Sequence, residues 1–160
     1  MDDHKVSVIG GAGFIGTRLC DRLFSSGVNF EIVDLKLSRS FSEYSKVGDV
    51  RSLESLRANI TGNIVVNLAA VHRDDVRDKS EYFATNVEGA RNVVDMSIEK
   101  GIRKIVFTSS VAVYGFAAAD TDEHGKIDPF NEYGKTKFEA ERRFAEWCSH
   151  EGGSLTIVRP

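Results

Sequence analysis

Tyr133 and Lys137 stand four residues apart in Tyr133-Gly134-Lys135-Thr136-Lys137, where a helical pattern begins, so their side chains share one helix face. A free phenol titrates at about 10, too high for a base at neutral pH. A nearby ammonium favours the phenolate and can move it toward the working range. A serine hydroxyl delivered by a strand end, as Thr108-Ser109-Ser110 offers, can hold a substrate oxygen and share its proton. Phenol, ammonium and hydroxyl together suit an alcohol that is becoming a ketone. Taken alone, Tyr-x-x-x-Lys is also the spacing of an ordinary surface helix pair. Other parts of the chain have to decide between the two.

The first of these is Gly10-Gly11-Ala12-Gly13-Phe14-Ile15-Gly16, which follows the apolar run Val6-Ser7-Val8-Ile9 and opens a helical pattern. A strand feeding a glycine turn that opens a helix gathers backbone N–H groups and the positive end of the helix dipole, a natural seat for a diphosphate. Gly10 allows the tight turn, Gly13 lets the backbone approach a pyrophosphate, and Gly16 permits close packing of helix on strand. The second is Asp34, which closes the next apolar run 18 residues after Gly16. A carboxylate there can accept from an adenosine ribose and repels a 2′-phosphate, which favours NAD over NADP. Lys36 and Arg39, close behind, soften that preference. NAD is therefore the predicted cofactor, carrying the hydride while the protein handles the proton.

These groups need a frame. Apolar runs fall at residues 6–9, 30–33, 64–68, 105–107 and 155–158, with a weaker one at 44–47. Several are continuous, as in strands covered on both faces. Between them run helical stripes: Ile15, Leu19 and Leu23; then Phe83, Val87, Ala90, Val94 and Ile98, stopped by Gly101; then Ala140, Phe144 and Cys148, ending near Gly152-Gly153. The alternation predicts an α/β fold with a doubly wound parallel sheet, a Rossmann fold of strand order 3-2-1-4-5-6. Ligands then bind beyond the carboxyl ends of the strands, where the segments after Asn67 and after Thr108 converge with Tyr133.

With 160 residues, the span 1–160 reads as one NAD-binding domain able to bury roughly 70% of its unfolded surface. A composition of 41% hydrophobic and 28% charged residues is that of a globular protein, and a net charge of −3 gives no reason to expect a nucleic-acid or membrane partner. No apolar stretch reaches membrane-spanning length, and Met1-Asp2-Asp3-His4-Lys5 leads into the first strand without room for a signal peptide, so a cytoplasmic location is expected. Cys20 and Cys148 read as buried thiols rather than a disulfide. The scattered His4, His124 and His150 suggest no metal site.

The chain resembles the N-terminal part of the extended short-chain dehydrogenase/reductase family, the NAD-dependent epimerase/dehydratases of nucleotide sugars. The resemblance rests on G-G-A-G-F-I-G, G-D-V, N-L-A-A, T-N-V-E-G-A-R-N-V-V, S-S-V-A-V-Y-G and Y-G-K-T-K, in that order along the whole chain. It implies that Ser110, four residues before Tyr114, is the catalytic hydroxyl, Tyr133 the general base, and Lys137 the residue that grips the nicotinamide ribose and lowers the tyrosine pKa. It places Gly10, Gly11, Ala12, Gly13, Phe14, Ile15, Gly16 and Asp34 on the cofactor. Asp49 and Val50 are implied at the adenine, and Leu68, Ala69, Ala70 and Val71 along the cofactor with His72 next. Asn86 is implied near the nicotinamide and sugar, with Ser109 only a neighbour. On the residues alone, Asp49 is equally a cap for the helix carrying Leu53 and Leu56, Asn86 equally a link to a loop, and Tyr114 a structural residue.

The resemblance further implies a nucleoside-diphosphate sugar substrate. In a resembling 4-epimerase the tyrosine takes the proton of the sugar hydroxyl while NAD⁺ takes hydride from carbon 4, and the ketone turns before reduction on its other face. Dehydratases of this family place Asp-Glu after the catalytic hydroxyl residue; here Val111 and Ala112 stand there and cannot transfer protons. Epimerase and sugar ketone reductase remain. Family members carry a substrate domain after the Arg-Pro at which this sequence stops. The expectation is thus a fragment of such an enzyme, a natural NAD-binding module without turnover, or a chain whose site a partner completes. The loop from Phe116 to Glu132 is expected either to cross the site or to be a surface excursion. A homodimer is expected through the helices at Phe83–Ile98 and Tyr133–Cys148.

Overall fold

Val6, Val8 and Ile9 make β1 (Lys5–Ile9) the apolar centre of the sheet, and β2 (Asn29–Asp34) and β4 (Ile64–Asn67) pair with it on either side. The computed structural model of the chain describes residues 4–72 and 78–160. The expectation drawn from Met1–Asp3 lies outside the described residues. β3 (Ser45–Val47), β5 (Lys104–Thr108) and β6 (Ser154–Val158) complete a fully parallel six-stranded sheet of order β3-β2-β1-β4-β5-β6. That is the predicted doubly wound Rossmann topology. Its direction of winding reverses between β1 and β4, which opens a crevice at their carboxyl ends.

Helix α1 (Phe14–Ser25) covers one face, where Cys20 is buried with Val6, Val8, Phe30, Ile32 and Val66. Of the predicted stripe of α1, Leu19 and Leu23 pack against this core beside the buried Cys20, while Ile15 is exposed at the crevice. α2 (Leu53–Asn59), α4 (Gly89–Glu99) and α5 (Glu132–Glu151) cover the other face. Leu56, Val93, Met96, Phe144 and Trp147 are buried there on Ile9, Val65, Ile105 and Phe107. Each fully buried side chain of this size contributes about 1.5–3 kcal/mol. Of the predicted stripe before Gly101, Val87 and Ala90 are buried, whereas the terminal Phe83 and Ile98 are exposed.

The cap of α2 is Ser52, whose Oγ accepts from the Ser55 amide at 3.1 Å; Asp49 does not cap it. The short α3 (Ser80–Tyr82) runs through a π-helical turn, Phe83–Glu88, into α4, and Gly101 ends that run at φ +67°. β6 alternates half-buried and exposed residues, with Leu155 and Ile157 on the α5 side and Ser154, Thr156 and Val158 exposed. One face of β6 alone is covered among the described residues, so its apolar run is not that of a strand buried on both faces.

At the amino ends of the strands lies a buried carboxylate, Glu31. It accepts from Ser7 Oγ at 2.7 Å, Lys46 Nζ at 2.8 Å, Thr61 Oγ1 at 2.8 Å and Lys5 Nζ at 3.0 Å. This cluster ties β1, β2, β3 and the approach to β4 together. Burial alone would raise its pKa, but the hydrogen bonds from Lys46, Ser7, Thr61 and Lys5 hold it at about 2.

Cys20 is buried and Cys148 half-buried, both free, with Cys148 Sγ 3.1 Å from the Gly153 carbonyl. Among the described residues no helix is long and apolar enough to cross a membrane, and no group of three His, Cys, Asp or Glu is placed to hold a metal.

Candidate active site

The carboxyl ends of the strands surround a cavity of about 710 Å³. Its floor is the glycine turn, and Gly10, Gly13, Phe14, Ile15 and Gly16 line it. Gly10 has φ +81°, and a Cβ there would lie 2.7 Å from the Ala69 amide nitrogen, so the turn and the end of β4 approach to a distance that only glycine permits. A Cβ on Gly16 would lie 2.5 Å from Gly11 Cα: the helix packs against the turn itself rather than against the strand. Gly13 caps α1 with extended backbone and no side-chain acceptor, leaving the first amides of the helix without a side-chain partner at the cavity.

Asp34, at the end of β2, lines the cavity and accepts a hydrogen bond of 3.0 Å from the Ala12 amide. Its carboxylate thus shapes the turn. Asp49 and Val50 line the wall beyond β3. Asp49 is clamped by Arg51, whose Nη2 lies at 2.7 Å, and that hydrogen bond holds the Asp49 carboxyl below its ordinary range. Val50 is buried, and its carbonyl accepts from Asn92 Nδ2 at 3.0 Å. Leu68, Ala69, Ala70, Val71 and His72 form the wall after β4.

Three of the sequence candidates do not line the cavity. Gly11 packs on β2, where a Cβ would lie 2.9 Å from Ile32. Ala12 turns its amide to Asp34. Asn86 is buried in the π-helical turn, where its Oδ1 accepts from the Val71 amide at 2.9 Å. Its Nδ2 donates to the Val71 carbonyl at 3.1 Å and to Thr136 Oγ1 at 3.0 Å. Asn86 therefore links the loop after β4 to the second turn of α5. The wider π turn is what carries it inward at that point.

Opposite the glycine turn, Ser110, Tyr133 and Lys137 come together. Ser110 caps the 3₁₀ turn Val111–Tyr114, its Oγ accepting from the Ala112 amide at 3.2 Å. Asn131 caps α5 by accepting from the Gly134 amide at 2.7 Å, which starts the helix so that Tyr133 falls in its first turn. The side chains of Ser110 and Tyr133 both line the cavity. Burial raises the Tyr133 phenol above its ordinary value, and the Ser110 hydroxyl, donating to the phenolate, pulls the other way. The expected lowering of this pKa by Lys137 is not seen. The Lys137 ammonium is turned to β5, donating to the Thr108 carbonyl at 2.5 Å and lying 4.2 Å from the Phe107 ring centroid. Burial brings Lys137 itself down to about 8, and the Glu141 charge opposes that shift.

Sequence reasoning passed over Glu141 and Arg159. Glu141 is buried one turn beyond Lys137 and accepts from Arg159 Nε at 2.8 Å and Nη2 at 2.6 Å. The signal was present: Tyr133, Lys137 and Glu141 recur every four residues on one face. Ser109 was set aside as a neighbour, yet it lines the cavity, and its buried hydroxyl has no partner among the described residues. None of the residues from 116 to 132 lines the cavity; the segment is pinned outside it, the Asp128 amide donating to the Val113 carbonyl at 3.0 Å.

Uncapped helix amides, a glycine-walled cradle that a single Cβ would fill and an orphaned hydroxyl beside the Tyr-Lys pair fit a dinucleotide. Residues 6–160 match the model of the NAD dependent epimerase/dehydratase family. The chain belongs to that family. A relative in this family from Escherichia coli O157:H7, the N-acetyl-alpha-D-glucosaminyl-diphospho-ditrans,octacis-undecaprenol 4-epimerase, is 43% identical over all of this chain and 49% of its own length. The UDP-glucose 4-epimerase of Rhizobium meliloti (strain 1021) is 29% identical over 99% of this chain and 52% of its own. Among solved structures, UDP-glucose 4-epimerase from Brucella ovis in complex with NAD superposes with a TM-score of 0.88 at 27% identity, over 98% of this chain and 51% of that one. A UDP-galactose 4-epimerase does so with a TM-score of 0.86 at 31% identity, over 97% and 55%. The chain spans about half the length of the curated relatives it matches.

Proposed function

We propose that residues 1–160 are the NAD-binding domain of a sugar 4-epimerase and that Ser110, Tyr133 and Lys137 carry its proton chemistry. The observation that supports this most is that Ser110, Tyr133 and the buried Lys137 line one cavity together with the glycine turn. The turn from Gly10 to Gly16 would hold the diphosphate, Asp34 the adenosine ribose, Asp49 and Val50 the adenine, and Leu68–Val71 the length of the cofactor. When bound, NAD supplies an acceptor that takes hydride from a sugar carbon and returns it.

Tyr133 takes the proton of the C4 hydroxyl as that carbon becomes a ketone, and gives it back when the alcohol is re-formed on the other face. Ser110 holds the same oxygen by a hydrogen bond in both directions. With its pKa raised by burial, the phenol keeps its proton at rest, so base action needs the positive charge of Lys137 on the phenolate. Val111 and Ala112 offer no second proton donor or acceptor, which favours epimerisation over dehydration.

The substrate on this reading is a hexose on a diphosphate, carried by a nucleoside as in the UDP-glucose 4-epimerases. A second reading of the carrier rests on the relative at 43% identity, whose substrate is a sugar on a polyprenyl diphosphate. The full-length protein, given C4-deuterated substrate on each carrier, should return the 4-epimer with deuterium at C4 and no net NADH. Loss of label to solvent or accumulating NADH with both carriers would overturn the epimerase reading. Two copies pair through α4 and α5 in this reading; a monomeric mass by light scattering would reject the dimer.

A further inference from the structure

We infer that Glu141 is a positioning residue of this site: through Arg159 it fixes helix α5 to the turn that begins at Ser110, and its carboxylate keeps Lys137 cationic. The inference rests on the reading of Tyr133 and Lys137 as the proton-handling pair. Glu141 sits on α5 one turn beyond Lys137, buried, and takes both its bonds from the Arg159 guanidinium just after β6. Arg159 Nη1 also donates to the Tyr114 hydroxyl at 2.6 Å, and its guanidinium lies 5.1 Å from the Tyr114 ring. Tyr114 closes the turn that Ser110 opens. One guanidinium therefore joins the helix bearing Tyr133 and Lys137 to the segment bearing Ser110.

The charge argument is as direct. Lys137 is 2% exposed, and β5 gives it only the Thr108 carbonyl and the Phe107 ring, neither of them an anion. On its own helix it meets Tyr133, neutral at rest, and Glu141. Arg159 stands behind Glu141, from the end of β6. The other ionisable groups of the cavity wall are Asp34, Asp49, Arg51, His72 and Glu81. Of all these only Glu141 opposes the fall of the Lys137 pKa that burial causes. A buried ammonium without an anion gives up its proton. Glu141 is the group that prevents it here.

The test is the titration of Lys137 by ¹³Cε NMR on this chain, the resonance assigned by its loss in Lys137→Arg. In the natural sequence the midpoint should fall at about 8. In Glu141→Gln it should fall by about one pH unit, since an opposite charge at this range is worth that much. Glu141→Asp, which retains the charge, should restore most of the shift. Should Glu141→Gln fail to fold with Arg159 left uncompensated, the double variant Glu141→Gln/Arg159→Gln is compared with Arg159→Gln, which keeps the carboxylate, and its midpoint should be the lower of the two. An unchanged midpoint in either folded variant overturns the inference. Because this readout needs no turnover, its failure is separable from that of the epimerase reading, which Tyr133 variants test.

Discussion

Lys137 reaches back from α5 to the end of β5 and donates to the Thr108 carbonyl at 2.5 Å, so the ammonium is anchored in the sheet rather than on the phenol four residues earlier. The anchor sets where the charge sits and how readily it is lost. Burial brings the group to about 8, and the ammonium form prevails below that value. Turnover by the full-length protein should therefore decline as pH rises through about 8. A profile of kcat/KM that stays flat to pH 10, the ordinary lysine range, would contradict this.

Gly10→Ala should remove cofactor binding and destabilise the fold together. The new methyl group meets the Ala69 amide nitrogen at 2.7 Å with φ held at +81°, a strain of about 1–3 kcal/mol. Gly27→Ala is the control: its φ is +67°, but nothing lies within 4 Å. It should cost about 1–2 kcal/mol of stability and leave NAD affinity unchanged. Urea denaturation and isothermal titration read the two effects separately.

Asp34→Ser should lower NAD affinity and raise NADP affinity, narrowing the preference at least tenfold. The carboxylate that repels a 2′-phosphate goes, and Lys36, Arg39 and Ser40 line a second cavity beside Ala12. Titration with both cofactors checks it, and an unchanged ratio would remove Asp34 from cofactor choice.

Glu31 should set the acid limit of stability. Its folded pKa, at about 2, lies below the value of about 4.3 for a free glutamate. The unfolded chain binds the proton first, so stability is fully present above about pH 4.5 and is lost as pH falls toward 2. Glu31→Gln should cost about 1–3 kcal/mol at neutral pH, by leaving buried donors such as Ser7 short of an acceptor, and should flatten the acid dependence. Urea midpoints from pH 2 to 7 measure both.

Much of this was legible in the sequence. Strand runs broken by glycine turns gave the sheet order, and the Gly10–Gly16 turn and the Tyr133–Lys137 spacing located both ends of the cavity. The rest depends on what local pattern does not carry. A π turn has nearly the apolar period of an α-helix, so the sequence left Asn86 open between the cofactor and a loop, and only the structure shows it bonded to the Val71 backbone. Ser52 and Asp49 are both good caps by type, and only the backbone chooses between them. The burial of one face of β6 depends on which layers exist, not on its own residues. The direction of the Lys137 ammonium and the Glu141–Arg159 bond join segments far apart in the chain, where neither periodicity nor spacing speaks.

The claim that Tyr133 handles the substrate proton is tested most directly by Tyr133→Phe in the full-length protein, with epimerisation and NAD affinity measured side by side. The expected result is a loss of about 10²–10⁴-fold in kcat with NAD affinity within a factor of about two. An undiminished kcat in a variant that folds and binds NAD would contradict it.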